Sequence, residues 1–402
     1  MILRNMVKYM MKYKIIDTSM NEFRLPRYCY QDSSYYDELQ KILHAYSDYV
    51  KTIKGLHKDT IVEVDENIKL ILDSIIDYYN ANFSKAKEKI TLILRKYKNS
   101  KFLVTSVNEC YAFRGMAYYS ELLLSMYKDY AIYDNMRNIP LNFFKARDAD
   151  YPMEIKDMLH IPLNRRGIVS TQRFSMNGIP CIYLATTSYC CWLEMNMPSR
   201  QNFYVSSFEI PNDLKVLNLC ISQGLINGHS LNDNEEQLDL LNQMIKIWPL
   251  ICATSFSISE KNRAFKSEYI VSQLTMQCAS ELKIDAIAYL SKKMDDSLSY
   301  PHAVNLAIPV KRNGCRDYWE NAANIRISSP KLYSEYLNEN NNFGTKRRSY
   351  VNSIYFAIDE NDIDSYSSMI DFLDTRTLYC KTKFCYFDDY LVSLDHYPFP
   401  LT

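Results

Sequence analysis

Between Glu66 and Tyr79 the apolar residues Ile68, Ile71, Leu72, Ile75 and Tyr79 fall three and four positions apart. Phe83, Ala86, Ile90 and Ile93 repeat that spacing one segment later. A 3.6-residue period places such positions on one face of a helix, and that face must be covered by other apolar surface. "YYSELLLSMY", residues 118–127, continues the pattern. An α-helical N-terminal domain is therefore expected over residues 1–138. Its stripes are packing faces and assign no chemistry.

From about residue 140 the period changes. "NFFKAR", "GIVSTQRFS", "PCIYLA", "NFYVSSFEI" and "LKVLNLC" are short runs rich in aromatic and β-branched residues, bounded by Pro, Asn, Asp or Gly. The "MNG" between "STQRFS" and "IPCIYLA" is an Asn-Gly turn signal and predicts a hairpin of those two runs. "TTSYCCWLEM" then opens a helix, with Thr186, Thr187 or Ser188 as its N-cap. Further on, "KSEYIVSQLTMQCASELK" puts Ile270, Leu274, Cys278 and Leu282 on one helix face and leads into "IDAIAYLS", an apolar run that reads as a buried strand. Helices beside strands indicate an α/β or α+β domain over residues 139–330. The polar stretch "NENNNFGTKRRS", residues 338–349, reads as a linker within a C-terminal extension, residues 331–402.

Composition removes several classes of function. Lys+Arg and Asp+Glu number 47 each, so the chain lacks the basic surplus of a protein that holds nucleic acid by bulk electrostatics. The 11 cysteines are scattered, with Cys190 and Cys191 adjacent, and six separated histidines do not complete a four-ligand metal spacing. No metal is expected. Lysines interrupt the apolar N-terminal stretch and no small-residue cleavage site follows it, so it does not read as a signal peptide. With no run of eighteen apolar residues, a soluble cytoplasmic protein without membrane contact is expected.

Chemistry concentrates in "TQRFSMNGIPCIYLATTSYCCWLEM", which sets Arg173, Tyr183 and Glu194 ten and eleven residues apart. A guanidinium is a planar donor fork for phosphate or carboxylate. Tyrosine supplies a stacking surface and a hydroxyl. A buried glutamate can hold ribose hydroxyls or stabilise developing positive charge. Together they suit a nucleotide with a reactive ribose. The plainer alternative is a structural ion pair of Glu194 with Arg173 that pins a helix to a hairpin. Spacing alone leaves both open. Cys190 and Cys191 read as core filling, and Glu268 and Gln273 as capping and surface residues. His160 is a candidate to line the pocket and Arg165–Arg166 for phosphate contact, against the commoner readings of a structural histidine and a solvated loop. His302 and Asn305, in "YPHAVNLAIP", are candidates to close the site.

Four fragments in order, "FFKAR", "LHIPLNRRGIVSTQRFSMNGIPCIYLATTSYCCWLE", "FKSEYIVSQLTMQCASELKIDAIAYLS" and "AVNLAIP", make the stretch from about residue 140 to 312 resemble the RES-domain family. By motif, Arg147 resembles the family's first arginine, Arg173 the arginine before the turn, Tyr183 its tyrosine, Glu194 its glutamate and Ser291 its serine. Lys145 stands where many members carry another arginine, which leaves open whether Lys145 or Arg147 fills the first-arginine role. The resemblance implies an α+β fold related to the ADP-ribosyltransferases, with twisted mixed β-sheets and flanking helices, and NAD as substrate. It also implies roles. Arg147 and Arg173 would clamp the pyrophosphate, and Tyr183 would pack on or bond to the nicotinamide ribose. Glu194 would stabilise the ribosyl cation or orient the attacking oxygen, and Ser291 would bond a phosphate or the acceptor. The implied activity is cleavage of the nicotinamide–ribose bond by water or inorganic phosphate, in a growth-inhibiting toxin or phage-defence effector. Mono-ADP-ribosyl transfer to a protein and a non-catalytic nucleotide sensor are the alternatives. An antitoxin or other regulatory partner and a homo-oligomer are implied as possible assemblies.

Overall fold

Helices α1 (Tyr35–Thr52), α2 (Lys58–Tyr79) and α3 (Phe83–Tyr97) form where the apolar stripes run. They belong to a computed structural model that describes residues 23–53, 55–114, 141–221, 226, 235–260, 263–294, 302–310, 324–339, 369–372, 375–379 and 382–398. The stripe at 118–127, the N-terminal stretch and most of the 338–349 segment lie outside the described residues. Val64, Ile68, Ile71 and Ile75 of α2 and Ala86, Ile90 and Ile93 of α3 are buried as the period requires. Tyr79 and Phe83 are instead exposed, because the turn between α2 and α3 lies at the surface and passes through Ala81 at φ 58°.

These three helices share one apolar core with α5 (Glu235–Ala253) and α6 (Ile270–Glu281), the helix α4 being introduced below. At its centre the fully buried Trp248 stacks on Tyr46 with ring centroids 4.1 Å apart. Burial of tyrosines is tolerated because each hydroxyl finds an acceptor. Tyr46 Oη donates to the Ile245 carbonyl at 3.0 Å and Tyr35 Oη to the Ala253 carbonyl at 3.2 Å. The same core takes in Leu217, Leu219, Ile287 and Tyr289, so the helical layer lies on one face of the sheet.

That sheet contains β2 (Val104–Ser106), β3 (Asn142–Asp148), β4 (Cys181–Ala185), β5 (Phe203–Glu209), β6 (Lys215–Leu219), β8 (Ala286–Leu290), β9 (Val304–Pro309), β10 (Arg326–Ser328) and β14 (His396–Pro398), in the order β14-β10-β5-β3-β4-β9-β8-β6-β2, with β11 (Lys331–Leu332) also on β5. β6 and β8 are parallel, joined through α5 and α6, and the other pairs are antiparallel. The expectation of a mixed α+β architecture is met at that level. On the opposite face Phe143, Ile182, Leu184, Phe208, Val216, Ala288 and Leu306 form a second core. A third gathers α4 (Ser188–Glu194), α7 (Tyr333–Glu339) and α8 (Lys383–Val392) around Tyr333, Phe384 and Phe387. Among the described residues there are also two small sheets, β1 (Arg27–Cys29) with β7 (Phe256–Ile258), and the hairpin of β12 (Met369–Phe372) and β13 (Thr375–Leu378).

Strand pairing is uneven at the middle of the large sheet. β3 pairs with β5 from Asn142↔Glu209 to Asp148↔Phe203, and β4 with β9 from Cys181↔Pro309 to Ala185↔Asn305. β3 and β4 meet only at Phe144↔Ala185. Beyond that bridge Lys145–Asp148 have left β4, and the sheet divides there into two halves.

The expected hairpin of residues 167–185 does not form. β4 pairs along its whole length with β9, far along the chain, and meets β3 only at Phe144↔Ala185, while residues 168–174 form no strand beside it. Residues 171–175 make a tight turn closed by a single Gln172↔Ser175 bridge, and Phe174 buries its ring against Tyr289 at 4.6 Å. The Asn-Gly turn is present within the loop. Gly178 takes φ 75°, a conformation that costs glycine little, and its N–H donates to the Val169 carbonyl at 3.1 Å.

Candidate active site

Glu194 ends α4, a seven-residue helix opened by Thr187, whose Oγ1 accepts from the Cys190 N–H at 3.0 Å. Of the three capping candidates, Thr187 has the extended backbone and the side-chain bond that define the cap. Cys190, Cys191 and Trp192 turn inward and are buried, and Cys191 Sγ donates to the Phe144 carbonyl at 3.3 Å, which seats the helix on β3. Burial holds both thiols well above their ordinary pKa, with Glu194 adding to the effect. They are inert core groups.

The glutamate itself is exposed, not buried as the sequence suggested. One carboxylate oxygen is nevertheless fixed. Glu194 Oε1 accepts from Ser291 Oγ at 2.7 Å and from Asn305 Nδ2 at 2.7 Å. Ser291 follows β8, and Asn305 sits on β9 opposite both Ala185 and Tyr289, so strand register delivers the two donors to one point. Cys190 Sγ donates to Asn305 Oδ1 at 3.5 Å, which fixes the way the amide faces. The second oxygen, Oε2, has no partner among the described residues. With one oxygen tied by two donors, the carboxylate keeps its direction. Beside it, burial and the Glu194 charge push the Tyr289 hydroxyl pKa up.

Arg173 does not pair with Glu194. Its Nη1 donates to the Thr254 carbonyl at 2.7 Å and its Nη2 to the Phe256 carbonyl at 3.1 Å. Thr254 directly follows α5, where unpaired carbonyls and the helix dipole attract a cation. The guanidinium also lies 5.2 Å from the Tyr269 ring centroid. The structural ion pair considered from spacing is thus replaced by a cap on a distant helix. Tyr183 holds the turn that carries Arg173: its Oη accepts from the Phe174 N–H at 3.1 Å and donates to Ser175 Oγ at 3.2 Å, and burial raises its pKa. Gln273, expected at the surface, is buried and donates to the Gln172 and Ser175 carbonyls, both at 3.2 Å. Glu268 is buried too, paired with Arg263. The partners of Gln273 lie about a hundred residues earlier in the chain, whereas Arg263 is five residues from Glu268 in a segment where no helical or strand period marks the pairing.

Arg147 and Lys145 stand apart from this group, on the part of β3 that has separated from β4. Arg147 Nε donates to the Asp157 carbonyl at 3.2 Å and its Nη2 to the Leu159 carbonyl at 3.1 Å. Lys145 Nζ reaches the same Leu159 carbonyl at 3.0 Å. Burial and the Arg147 charge press the Lys145 ammonium pKa well down. Both candidates for the first-arginine role, Lys145 and Arg147, therefore brace the 155–160 loop and share one acceptor. Arg165 and Arg166 are exposed, as a solvated loop would have them.

His160 is buried, with Nδ1 at 2.9 Å from the Ile161 carbonyl, and burial lowers its pKa to about 4. Since the unfolded ring titrates near 6.5, the folded protein binds fewer protons between those values. Stability contributed by this residue is therefore lost as pH falls from about 6.5 towards 4. His160→Gln is expected to flatten the acid limb of a thermal-melt series, and an unchanged limb would rule this group out. His302 supports α4 from behind, its carbonyl accepting from Thr187 Oγ1 at 2.6 Å and its ring 4.8 Å from Tyr379.

Sequence reasoning weighed Asn305 without placing it and passed over Lys293, whose Nζ donates to Asn196 Oδ1 at 2.6 Å and whose N–H donates to Ser291 Oγ at 3.2 Å. Only the resemblance pointed to Ser291, and no spacing signal ties it to Glu194. The charged grooves of the helical layer, lined by residues such as Asp65 and Lys69 or Glu63 and Lys246, contain none of these residues. Among the described residues no three His, Cys, Asp or Glu side chains converge as a metal site requires, and no helix is long and apolar enough to cross a membrane.

Comparison with known proteins adds one relative. The chain is 32% identical over 195 residues to the protein named "Putative toxin YopC" of Bacillus subtilis (strain 168), a match covering 44% of this chain and 43% of that protein. The chain thus spans less than half of that relative's length. No family model and no solved structure matches.

Proposed function

We propose that the chain is an NAD-consuming enzyme that breaks the nicotinamide–ribose bond, and that it acts as a growth-inhibiting toxin or phage-defence effector. The observation that carries the chemistry is the Glu194 carboxylate, tied through Oε1 to Ser291 and Asn305 with Oε2 open. The relative's name, "Putative toxin YopC", supports the biological half. Nicotinamide leaves as a neutral group, so the enzyme's task is to stabilise an oxocarbenium-like ribose and to position the acceptor. In this reading the open oxygen of Glu194 faces the developing cation. Ser291 fixes the carboxylate rather than a phosphate. Arg173, steadied by Tyr183 and Gln273, offers its remaining N–H donors to the pyrophosphate. Lys145 and Arg147, where the sheet divides, are the second basic group an anionic substrate would meet. The division of the sheet at β3/β4 is the feature that supports an ADP-ribosyltransferase-like cleft.

The test is NAD loss by purified protein with and without inorganic phosphate. Loss that needs phosphate identifies a phosphorylase, and loss without it a glycohydrolase. NAD that persists in both, with label carried onto a protein from radiolabelled NAD, identifies mono-ADP-ribosyl transfer instead. NAD that persists with no label transferred sinks the reading. Asn305→Ala removes one donor to a charged oxygen and is expected to lower NAD turnover about 10- to 100-fold. Full turnover in a folded Asn305→Ala protein would separate this amide from the site.

A further inference from the structure

The first turn of α4 lies in the interior, where N–H groups left over by helix geometry need acceptors. Thr187 serves Cys190, and the Ser188 N–H donates to Asp388 Oδ1 at 3.0 Å. Asp388 comes from α8, in the C-terminal segment, and is fully buried. Its other oxygen is bonded by Tyr379 Oη, and Tyr379 in turn lies against the His302 ring. One turn earlier Phe384 packs on Tyr189 and Trp192, each at 5.5 Å. A carboxyl in the interior is costly, and an apolar residue would fill the place more cheaply. What the carboxyl adds is direction. It aims the first N–H of a helix about 10 Å long whose last residue is Glu194.

We propose that Asp388 is a positioning residue: α8 holds the start of α4, and through α4 sets the Glu194 carboxylate against Ser291 and Asn305. The C-terminal segment is then part of the working site rather than an appendage. For its catalytic readout this inference rests on Glu194 acting on NAD.

The experiment compares Asp388→Ala, Asp388→Asn, Tyr379→Phe and Phe384→Leu in the full chain. Phe384→Leu loosens the same helix contact without touching the bond to Ser188. Steady-state kcat and KM for NAD are read beside hydrogen exchange of the amides in residues 186–196. Asp388→Ala is expected to lower kcat about 100-fold with KM nearly unchanged, and to speed exchange at α4. Asp388→Asn keeps an oxygen that accepts from Ser188 and is expected to restore both. Tyr379→Phe, which covers the case of an Asp388→Ala protein that does not fold, is expected to lower kcat about tenfold. Equal kcat losses in Asp388→Ala and Phe384→Leu, an Asn variant as impaired as the Ala variant, or an unaffected Tyr379→Phe would each overturn the proposal. Wild-type protein that leaves NAD intact refutes the NAD reading, and exchange then decides alone. Faster α4 exchange in Asp388→Ala, restored in Asp388→Asn, upholds the positioning role, and unchanged exchange overturns it.

Discussion

Glu194→Gln is expected to lower NAD consumption by about 10²–10³-fold while leaving the thermal midpoint essentially where it was. The side chain is exposed, so no core is disturbed, and surface changes of this kind cost about 0.5 kcal/mol or less. A glutamine carbonyl oxygen can accept from Ser291 and Asn305 as Oε1 does. Shape and both hydrogen bonds are preserved, and only the charge is removed. An amide then presents an N–H₂ group where Oε2 now faces outward, opposed to a developing ribosyl cation. Binding of NAD should change little, so the loss is expected in kcat with KM nearly constant. Turnover equal to wild type in the folded variant would show that this carboxylate does not act on the substrate.

The second large effect concerns stability. Burial lifts the Asp388 carboxyl to about 8, against about 3.9 for an unfolded aspartate. Between those values the folded chain keeps a proton that the unfolded chain has released. More protons bound in the native state means that stability falls as pH rises, by on the order of 1 kcal/mol for each pH unit, until the folded group also ionises near pH 8. Asp388→Asn removes that slope and is expected to be the more stable protein at pH 7–8, by several kcal/mol. His160 and Lys145, whose pKa values are lowered by burial, contribute slopes of the opposite sign. Both are present in either protein, so the difference between the two melt series isolates Asp388. Parallel series from pH 5 to pH 8 would mean that this carboxyl has its ordinary acidity.

Much of the scaffold was legible in order along the chain. Helical period placed α2 and α3, the threonine run placed the start of α4, and short runs rich in aromatic and β-branched residues placed β3, β4, β5 and β6. These are properties of a few neighbouring residues. The hairpin at 167–185 failed for a reason no local pattern contains, because β4 takes its ladder partner from β9, more than a hundred residues later. Gln273 and Glu268 were assigned to capping and surface roles for want of their partners, the Gln172 and Ser175 carbonyls and Arg263.

Residue types and spacing in Thr171–Met195 were enough to single out Arg173, Tyr183 and Glu194, but not to say what each one touches. Arg173 spends two donors on carbonyls more than eighty residues away, at the end of α5 and in β7. Glu194 meets Ser291 and Asn305, which lie 97 and 111 residues later. Those meetings depend on the register of β4, β9 and β8 and on a C-terminal helix docked against α4. Local periodicity follows from the backbone geometry of a single segment, so one chain read in order suffices for it. Which segments lie side by side is decided by the joint burial of their faces, and that exists only once the whole chain has packed.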